Sequence, residues 1–345
     1  MRTRISAGLV VLAAGLVSIS ITPAVSGQAP AGPKLLYGHD LQVRPGGEKD
    51  FTKAAKIGVE WFQSEVDGGD SDNPKMVPYT IGLSEDGFIG VYPGGPFVEK
   101  QKCKWVAAHD LSVRKGGEKE FTQKTKLFGV ELYRDLGTNR LIYVAESGSI
   151  AFAPIPVNLA TEKGPKWHHA LDAKVRGLEE AGFENAKPVG LEVYRDENTG
   201  GLIYITENGA IATSAAPATA PDPKKPLPPK TLYGLVLKAR AAGETEFTKS
   251  TKRIGLEVYE DPNANTLLYL TSTGAIAVIP NPGALATVTP KTAVTWKKAA
   301  NLSVRKAGEK EFQKAKKYAV EIYRDNRTGA LIFLAETGAI AVLPK

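Results

Sequence analysis

Four polar positions and one aromatic recur in register along this chain, and they are the residues whose types could do chemistry. An arginine stands at 44, 114, 176, 240 and 305, and a glutamate at 60, 131, 192, 257 and 321. A second glutamate stands at 48, 118, 180, 244 and 309, and a lysine at 56, 126, 187, 252 and 316. Tryptophan accompanies three copies, as Trp105, Trp167 and Trp296, with Leu35 and Thr231 at the matching places. A flat ring beside a few fixed polar groups suits recognition of small polar ligands such as sugars. The candidate binding set is therefore Trp105, Trp167, Trp296, Arg114, Arg176, Arg305, Glu131, Glu192 and Glu321, with Tyr133, Tyr194, Tyr259 and Tyr323 as further rings. The competing expectation is structural: each Arg forms a bidentate pair with a Glu inside its own repeat and fixes the local fold.

Catalytic chemistry finds less support. Paired-carboxylate hydrolysis needs two acids in unlike environments, whereas these acids occupy equivalent positions. There is no GxSxG elbow, HExxH pair or Gly-rich phosphate loop. The four histidines, His39, His109, His168 and His169, cluster near repeat starts but offer at most pairs, short of the three or four ligands a metal requires. They are expected to be exposed or at strand edges. Asp67, Asp70 and Asp72 form a weak calcium candidate, since they lack the spacing and closing Glu of an EF-hand. Cys103 has no partner cysteine, so no internal disulfide forms. No catalytic residue, cofactor or metal is assigned.

The recurrence is that of whole repeats. Five copies cover residues 35–93, 105–154, 167–213, 231–280 and 296–344, with starts 62–70 residues apart. Such a period marks one supersecondary unit stacked on itself. The second half of each copy reads as an antiparallel meander: Gly190 to Thr213 holds three short Val/Ile/Tyr-rich runs separated by turns. Asp196 and Asp325 open the first turn, where a carboxylate can close the loop. A Gly at 87, 148, 209, 274 and 338 fixes the second, a hairpin place that wants positive φ. The middle strand is apolar on both faces, and the last, as in Ala210-Ile211-Ala212, is built of small residues suited to a crowded axis. The first half adds a strand, Leu111 to Arg114, and a short helix from Glu118 to Lys126 pinned to the sheet by Phe121.

Four strands per unit and five units predict a mainly β protein with one short helix per repeat, closed as a five-bladed β-propeller. The alternative is a linear string of five small α+β modules on Pro-rich tethers such as Ala216 to Lys230. Units of this size are marginal alone, which favours packed blades. The five-fold plan is similar in architecture alone to that of the tachylectin-type five-bladed lectins.

Residues 1–26 read as a signal peptide: Arg2 and Arg4, an apolar run from Ala7 to Ile21, and small residues at Ala24-Val25-Ser26. Residues 27–345 then form a single repeat domain with no transmembrane segment, placed in the periplasm or outside the cell. The formal charge of +7 falls by two when Arg2 and Arg4 are removed. Basic and acidic residues are interleaved, so the clustered basic face of a nucleic-acid binder is missing. The expected function is a non-catalytic binding or scaffold role at or outside the cell surface, toward a protein or polysaccharide partner. A multivalent lectin-like module is the alternative, and a glycoside-active enzyme the third reading.

Overall fold

The computed structural model describes residues 32–67, 75–94, 98, 103–156, 159, 164–176, 180, 183–214, 226–289 and 292–345. The signal-peptide segment, Asp70, Asp72 and most of the Pro-rich connector before Lys230 lie outside the described residues.

Each repeat forms one four-stranded antiparallel sheet. Blade 1 comprises β1 (Lys34–Val43), β2 (Ala55–Asp67), β3 (Met76–Ser84) and β4 (Ile89–Pro93). Blade 2 comprises β5 (Cys103–Val113), β6 (Lys126–Asp135), β7 (Arg140–Ala145) and β8 (Ile150–Pro154). Blade 3 comprises β9 (Pro165–Val175), β10 (Lys187–Asp196), β11 (Leu202–Thr206) and β12 (Ile211–Ser214). Blade 4 comprises β13 (Lys230–Ala239), β14 (Lys252–Asp261), β15 (Thr266–Thr271) and β16 (Ile276–Pro280). Blade 5 comprises β17 (Val294–Val304), β18 (Lys316–Asp325), β19 (Leu331–Ala335) and β20 (Ile340–Leu343). The third and fourth strands are shorter than the first two in every blade, so each blade is a wedge. The fourth strands β4, β8, β12, β16 and β20 contact one another in a closed cycle. The chain is thus a five-bladed propeller, and the linear string of modules is set aside.

The small residues of the last strands do what their size suggested. Ala151, Ala212, Ala277 and Ala341 line the axis with Ile89, Ile150, Ile211, Ile276 and Ile340. The space left between them is about 60 Å³. Phe152 fills part of it, against Gly82 and Gly90, where an added Cβ would lie 2.3 and 2.4 Å from the ring. The axis is narrow and lined mainly by Ile and Ala, with room for a few waters and too little for a sugar.

The two-sided apolar strands are sandwiched between blades. One core joins Leu235, Leu256, Val258 and Tyr269 of blade 4 to Ile332, Leu334 and Tyr323 of blade 5. Another joins Tyr79, Ile81 and Leu83 of blade 1 to Val320, Ile322 and Phe333 of blade 5. The second cluster matters because each sheet is built from consecutive strands of one repeat. Among the described residues no strand is exchanged at the closure, so packing and hydrogen bonds that each involve a side chain hold blade 5 to blade 1.

The expected helix is absent. Among the described residues this segment holds a single 3-10 turn in blades 1 (Phe51–Lys53) and 5 (Phe312–Lys314) and irregular loop elsewhere. The recurring lysine, expected to end the helix, instead opens or enters the second strand, which leaves too few residues for a helix to nucleate. The segment's carbonyls also have another partner: Arg114 Nη1 donates to Glu118 O at 2.6 Å, and Arg305 Nη1 to Glu309 O at 2.7 Å.

Turn chemistry followed the sequence. Gly87, Gly148, Gly209, Gly274 and Gly338 all have φ between 81° and 92°. Asp196 Oδ1 accepts the Asn198 N–H at 2.9 Å, and Asp325 Oδ1 that of Arg327 at 3.0 Å.

Candidate functional site

The recurring Arg and Glu meet across blades, which corrects the expectation of a pair inside each repeat. Arg44 Nε donates to Glu131 Oε1, Arg114 to Glu192, Arg176 to Glu257 and Arg305 to Glu60, each at 2.6 Å, and Arg240 to Glu321 at 2.7 Å. Each arginine directly follows the first strand of one blade and reaches the second strand of the next. The cycle closes with Arg305 on Glu60. The reason is backbone proximity: an added Cβ on Gly129 would stand 1.9 Å from Arg44 O, and one on Gly190 2.3 Å from Arg114 O. Adjacent blades touch here main chain to main chain, which brings the arginine Nε within reach of the neighbouring glutamate while its Nη1 stays on its own repeat.

The tryptophans join the same clamp. Trp105 Nε1 donates to Glu131 Oε2 at 2.6 Å, Trp167 Nε1 to Glu192 Oε2 at 2.7 Å, and Trp296 Nε1 to Glu321 Oε2 at 2.8 Å. A β-bulge interrupts the first strand at Trp105/Ala107 and at Trp296/Lys298, and turns the ring outward. The ring is half-exposed: 51% for Trp105, 43% for Trp167 and 44% for Trp296. A phenylalanine of the preceding blade meets it edge-on, as Phe51 on Trp105, Phe121 on Trp167 and Phe247 on Trp296, at 6.0–6.2 Å between centroids. The arginine guanidinium covers that phenylalanine in turn, at 5.7, 5.6 and 5.0 Å. Phe121 therefore anchors its loop to the next blade's tryptophan and remains substantially exposed, where the sequence placed it on its own sheet.

Three equivalent aromatic platforms result, between blades 1 and 2, 2 and 3, and 4 and 5. Each has an exposed Trp and a Phe, exposed at Phe121 and Phe247 and half-buried at Phe51, above a buried Arg–Glu pair. Trp105 sits with Glu131 as expected, but with Arg44 rather than Arg114. Arg114 serves Trp167 and Glu192. Trp296 and Glu321 are served by Arg240. Arg176 and Arg305 belong to the two interfaces where Thr231 and Leu35 replace the tryptophan. The sequence reading missed Arg44, Arg240 and the three phenylalanines as partners. Their regular spacing was visible, but nothing in one repeat says that its arginine serves the next.

Where tryptophan is missing, a second residue changes with it. The residue opposite the glutamate is Ala108, Ala170 or Ala299 in the tryptophan blades and Gly38 or Gly234 in the others. An added Cβ on Gly234 would fall 2.0 Å from Arg176 Nη2, which donates to Glu257 Oε2 at 3.1 Å. The glycine leaves room for the arginine beside that oxygen in blade 4, while in blade 5 Arg240 Nη2 donates to Glu321 Oε2 at 3.1 Å alongside Trp296 and Ala299. Burial pushes the Glu192 carboxyl above its usual range, against the pull of Trp167 and Arg114. Burial does the same at Glu60, against Arg305.

The other candidate rings are interior. Tyr133, Tyr194 and Tyr323 donate to Gln42 O, Ser112 O and Lys238 O of the preceding blade, each at 2.5 Å, and Tyr259 donates to Lys174 O. A third layer of contacts lies on buried aspartates. Tyr143 donates to Asp196 at 2.5 Å, Tyr204 to Asp261 at 3.2 Å and Tyr269 to Asp325 at 2.8 Å. At Asp196, burial alone would raise the carboxyl, but the neighbouring His109 and hydrogen bonds from Tyr143 and the Asn198 N–H outweigh it and hold it below its ordinary value. The histidines belong to this layer and are not exposed: His109, His168 and His169 are buried, and His169 Nε2 lies 3.0 Å from Asp261 Oδ2. His109 and His169 bridge from the first strand of one blade to the aspartate of the next.

Asp67, the described member of the calcium candidate, pairs with Lys297 Nζ at 3.4 Å and accepts from Lys75 N–H at 3.1 Å. Among the described residues, no helix is long and apolar enough to cross a membrane.

No family model and no curated protein matches the chain. Among solved structures it is similar to a streptogramin B lyase at 10% identity, covering 83% of this chain and 87% of that one, with a TM-score of 0.13. The virginiamycin B lyase of Staphylococcus aureus gives 10% identity, 83% and 89% coverage and a TM-score of 0.13. A catalytically inactive form of that lyase with quinupristin gives 10% identity, 89% and 98% coverage and a TM-score of 0.12. Likeness at this level carries no argument about the chemistry of this chain.

Proposed function

We propose that this protein is an exported, non-catalytic binding or scaffold protein that engages its partner through the three Trp–Phe platforms. The observation that supports this reading is the half-exposure of three tryptophans whose orientation is fixed from beneath. A large apolar ring left in water costs solvation, yet each is held in place by a buried carboxylate. Rigid, exposed aromatics with low conformational freedom are what binding surfaces use. The recurring acids support a role without catalysis, since Arg and Trp take up their oxygens in the tryptophan blades. Export rests on the signal-peptide pattern of residues 1–26.

A multivalent lectin-like role is the second reading, and the platforms favour it over a single protein interface. They are spaced round the ring rather than gathered at one point, as repeated saccharide units would require. Flat ring faces beside polar edges suit pyranose stacking. The test is retention of the chain on immobilised polysaccharides and cell-wall fragments, with alanine at Trp105, Trp167 and Trp296. Lost retention with unchanged circular dichroism supports ligand sites. Lost folding assigns the rings to packing and overturns the reading.

A further inference from the structure

The boundary between blades 1 and 2 departs from the repeat, and it does so with metal-binding chemistry. Cys103 opens β5 directly opposite Asp135 at the end of β6. At the matching place blade 3 has Pro165 opposite Asp196, and blade 5 has Val294 opposite Asp325. From blade 1, His39 on β1 projects to the same point. One ligand atom each from His39, Cys103 and Asp135 lie within 4.8 Å of one another. His39 Nε2 is 3.9 Å from Asp135 Oδ1. That nitrogen is buried and has no hydrogen-bond partner among the described residues.

The dimensions suit a cation. Two ligands at about 2.0–2.3 Å from a tetrahedral zinc lie roughly 3.3–3.8 Å apart. The observed separations exceed this by no more than about an ångström or so, within the reach of rotamer adjustment at a partly open site. Asp135 is already aimed: Oδ2 accepts from Tyr37 and from Thr138 Oγ1, and Oδ1 from Gly137 N–H at 3.0 Å. Bonds of that kind orient a ligating carboxylate. Nitrogen, sulfur and oxygen in one set favour zinc over calcium or magnesium, which want oxygen alone.

We propose that His39, Cys103 and Asp135 bind one zinc-like divalent cation, a metal clasp between blade 1 and blade 2. Binding forms three metal–ligand bonds, and the Cys103 thiol proton leaves to solvent as the thiolate coordinates. Water completes the fourth position.

The molecule contains its own control. His109 Nε2 stands at the same 3.9 Å from Asp196 Oδ2, with both ring nitrogens lacking hydrogen-bond partners among the described residues, but Pro165 stands where blade 2 has its cysteine. The experiment is a Co²⁺ titration of the chelator-treated full chain, read by the near-ultraviolet thiolate-to-cobalt band, followed by Zn²⁺ displacement. The expected result is saturation at one equivalent per chain. The band should vanish in Cys103→Val, which installs the residue blade 5 uses there, and persist in His109→Leu. His39→Leu, which installs the residue found at Leu171 and Leu235, should weaken binding by at least about 10–100-fold, the loss seen even for outer partners of a metal. Circular dichroism confirms that each variant folds. Absence of a thiolate band in the wild-type chain, or a band that survives Cys103→Val or is unaffected by His39→Leu, overturns the proposal.

Discussion

Arg305 Nε lies 2.6 Å from Glu60 Oε1, joining the last blade to the first across 245 residues of chain. The four other Arg–Glu pairs tie consecutive blades. This one closes the ring. It acts beside Ala307 N–H on Glu85 Oε2 at 2.8 Å, Gly308 N–H on Asp40 Oδ2 at 2.8 Å and Tyr318 Oη on Glu85 O at 2.6 Å. Removing one partner of a mostly buried pair leaves a charge without compensation. Arg305→Met is expected to cost about 3–5 kcal/mol in urea unfolding. Adding Glu60→Met should restore much of that loss, because no orphan charge remains. Additive losses in the double variant would show that the pair is not the clasp.

Close backbone approach predicts a sharp sensitivity at Gly129, where an added Cβ would stand 1.9 Å from the Arg44 carbonyl. Gly129→Ala forces blades 1 and 2 apart and should cost about 1–3 kcal/mol or more by overpacking. Thermal unfolding monitored by circular dichroism reads it directly. An unchanged midpoint would mean that the blades are not in main-chain contact there.

The exchange of Trp/Ala for Thr/Gly in blade 4 predicts energetic coupling. Gly234→Ala alone should destabilise, since its Cβ meets Arg176 and Glu257. Thr231→Trp supplies the indole N–H that the other blades give their glutamate. The double variant should lose less than the sum of the single losses, by roughly 0.5–3 kcal/mol, the range for residues that share a network. Simple additivity would sever the link between the two positions.

His168 sets a pH dependence. Its Nδ1 is 2.6 Å from Nδ1 of His169, and burial, then His169 and Arg195, lower its pKa from the ordinary 6.5. The unfolded chain therefore binds the proton more readily than the folded one. Stability from this group is full above pH 6.5 and falls as the pH drops below it toward the folded value. His168→Leu, which brings in the residue found at Leu36 and Leu232, should flatten the thermal midpoint between about pH 7 and 5 relative to wild type. An equal slope in both proteins would place the titration elsewhere.

Much of the architecture was legible because it is written locally and repeatedly. Strand alternation, the hairpin glycines and the small residues of Ala210-Ile211-Ala212 each carry their own physical reason, and five copies fix the register. The helix around Phe121 was misread because the sequence shows a run of helix formers but not the arginine that takes its carbonyls, nor the tryptophan of the next blade that takes its ring. The partners of Arg114 were misassigned for a related reason. Periodicity reports that each blade has an Arg and a Glu, and it is blind to a shift of one blade between them. Cys103 beside His39 was hidden because the two are joined by the ring geometry and by no motif.

The most direct measurement of the functional reading is titration calorimetry of the chain against polysaccharides and cell-wall fragments, repeated on the triple alanine variant at Trp105, Trp167 and Trp296. Three equivalents of a binding saccharide per chain, one for each Trp–Glu platform, with the heat abolished in the folded triple variant, is the predicted outcome. Heat that the triple variant retains in full would contradict the assignment of these platforms as binding sites, and silence across the panel would contradict the lectin-like reading and leave a protein partner.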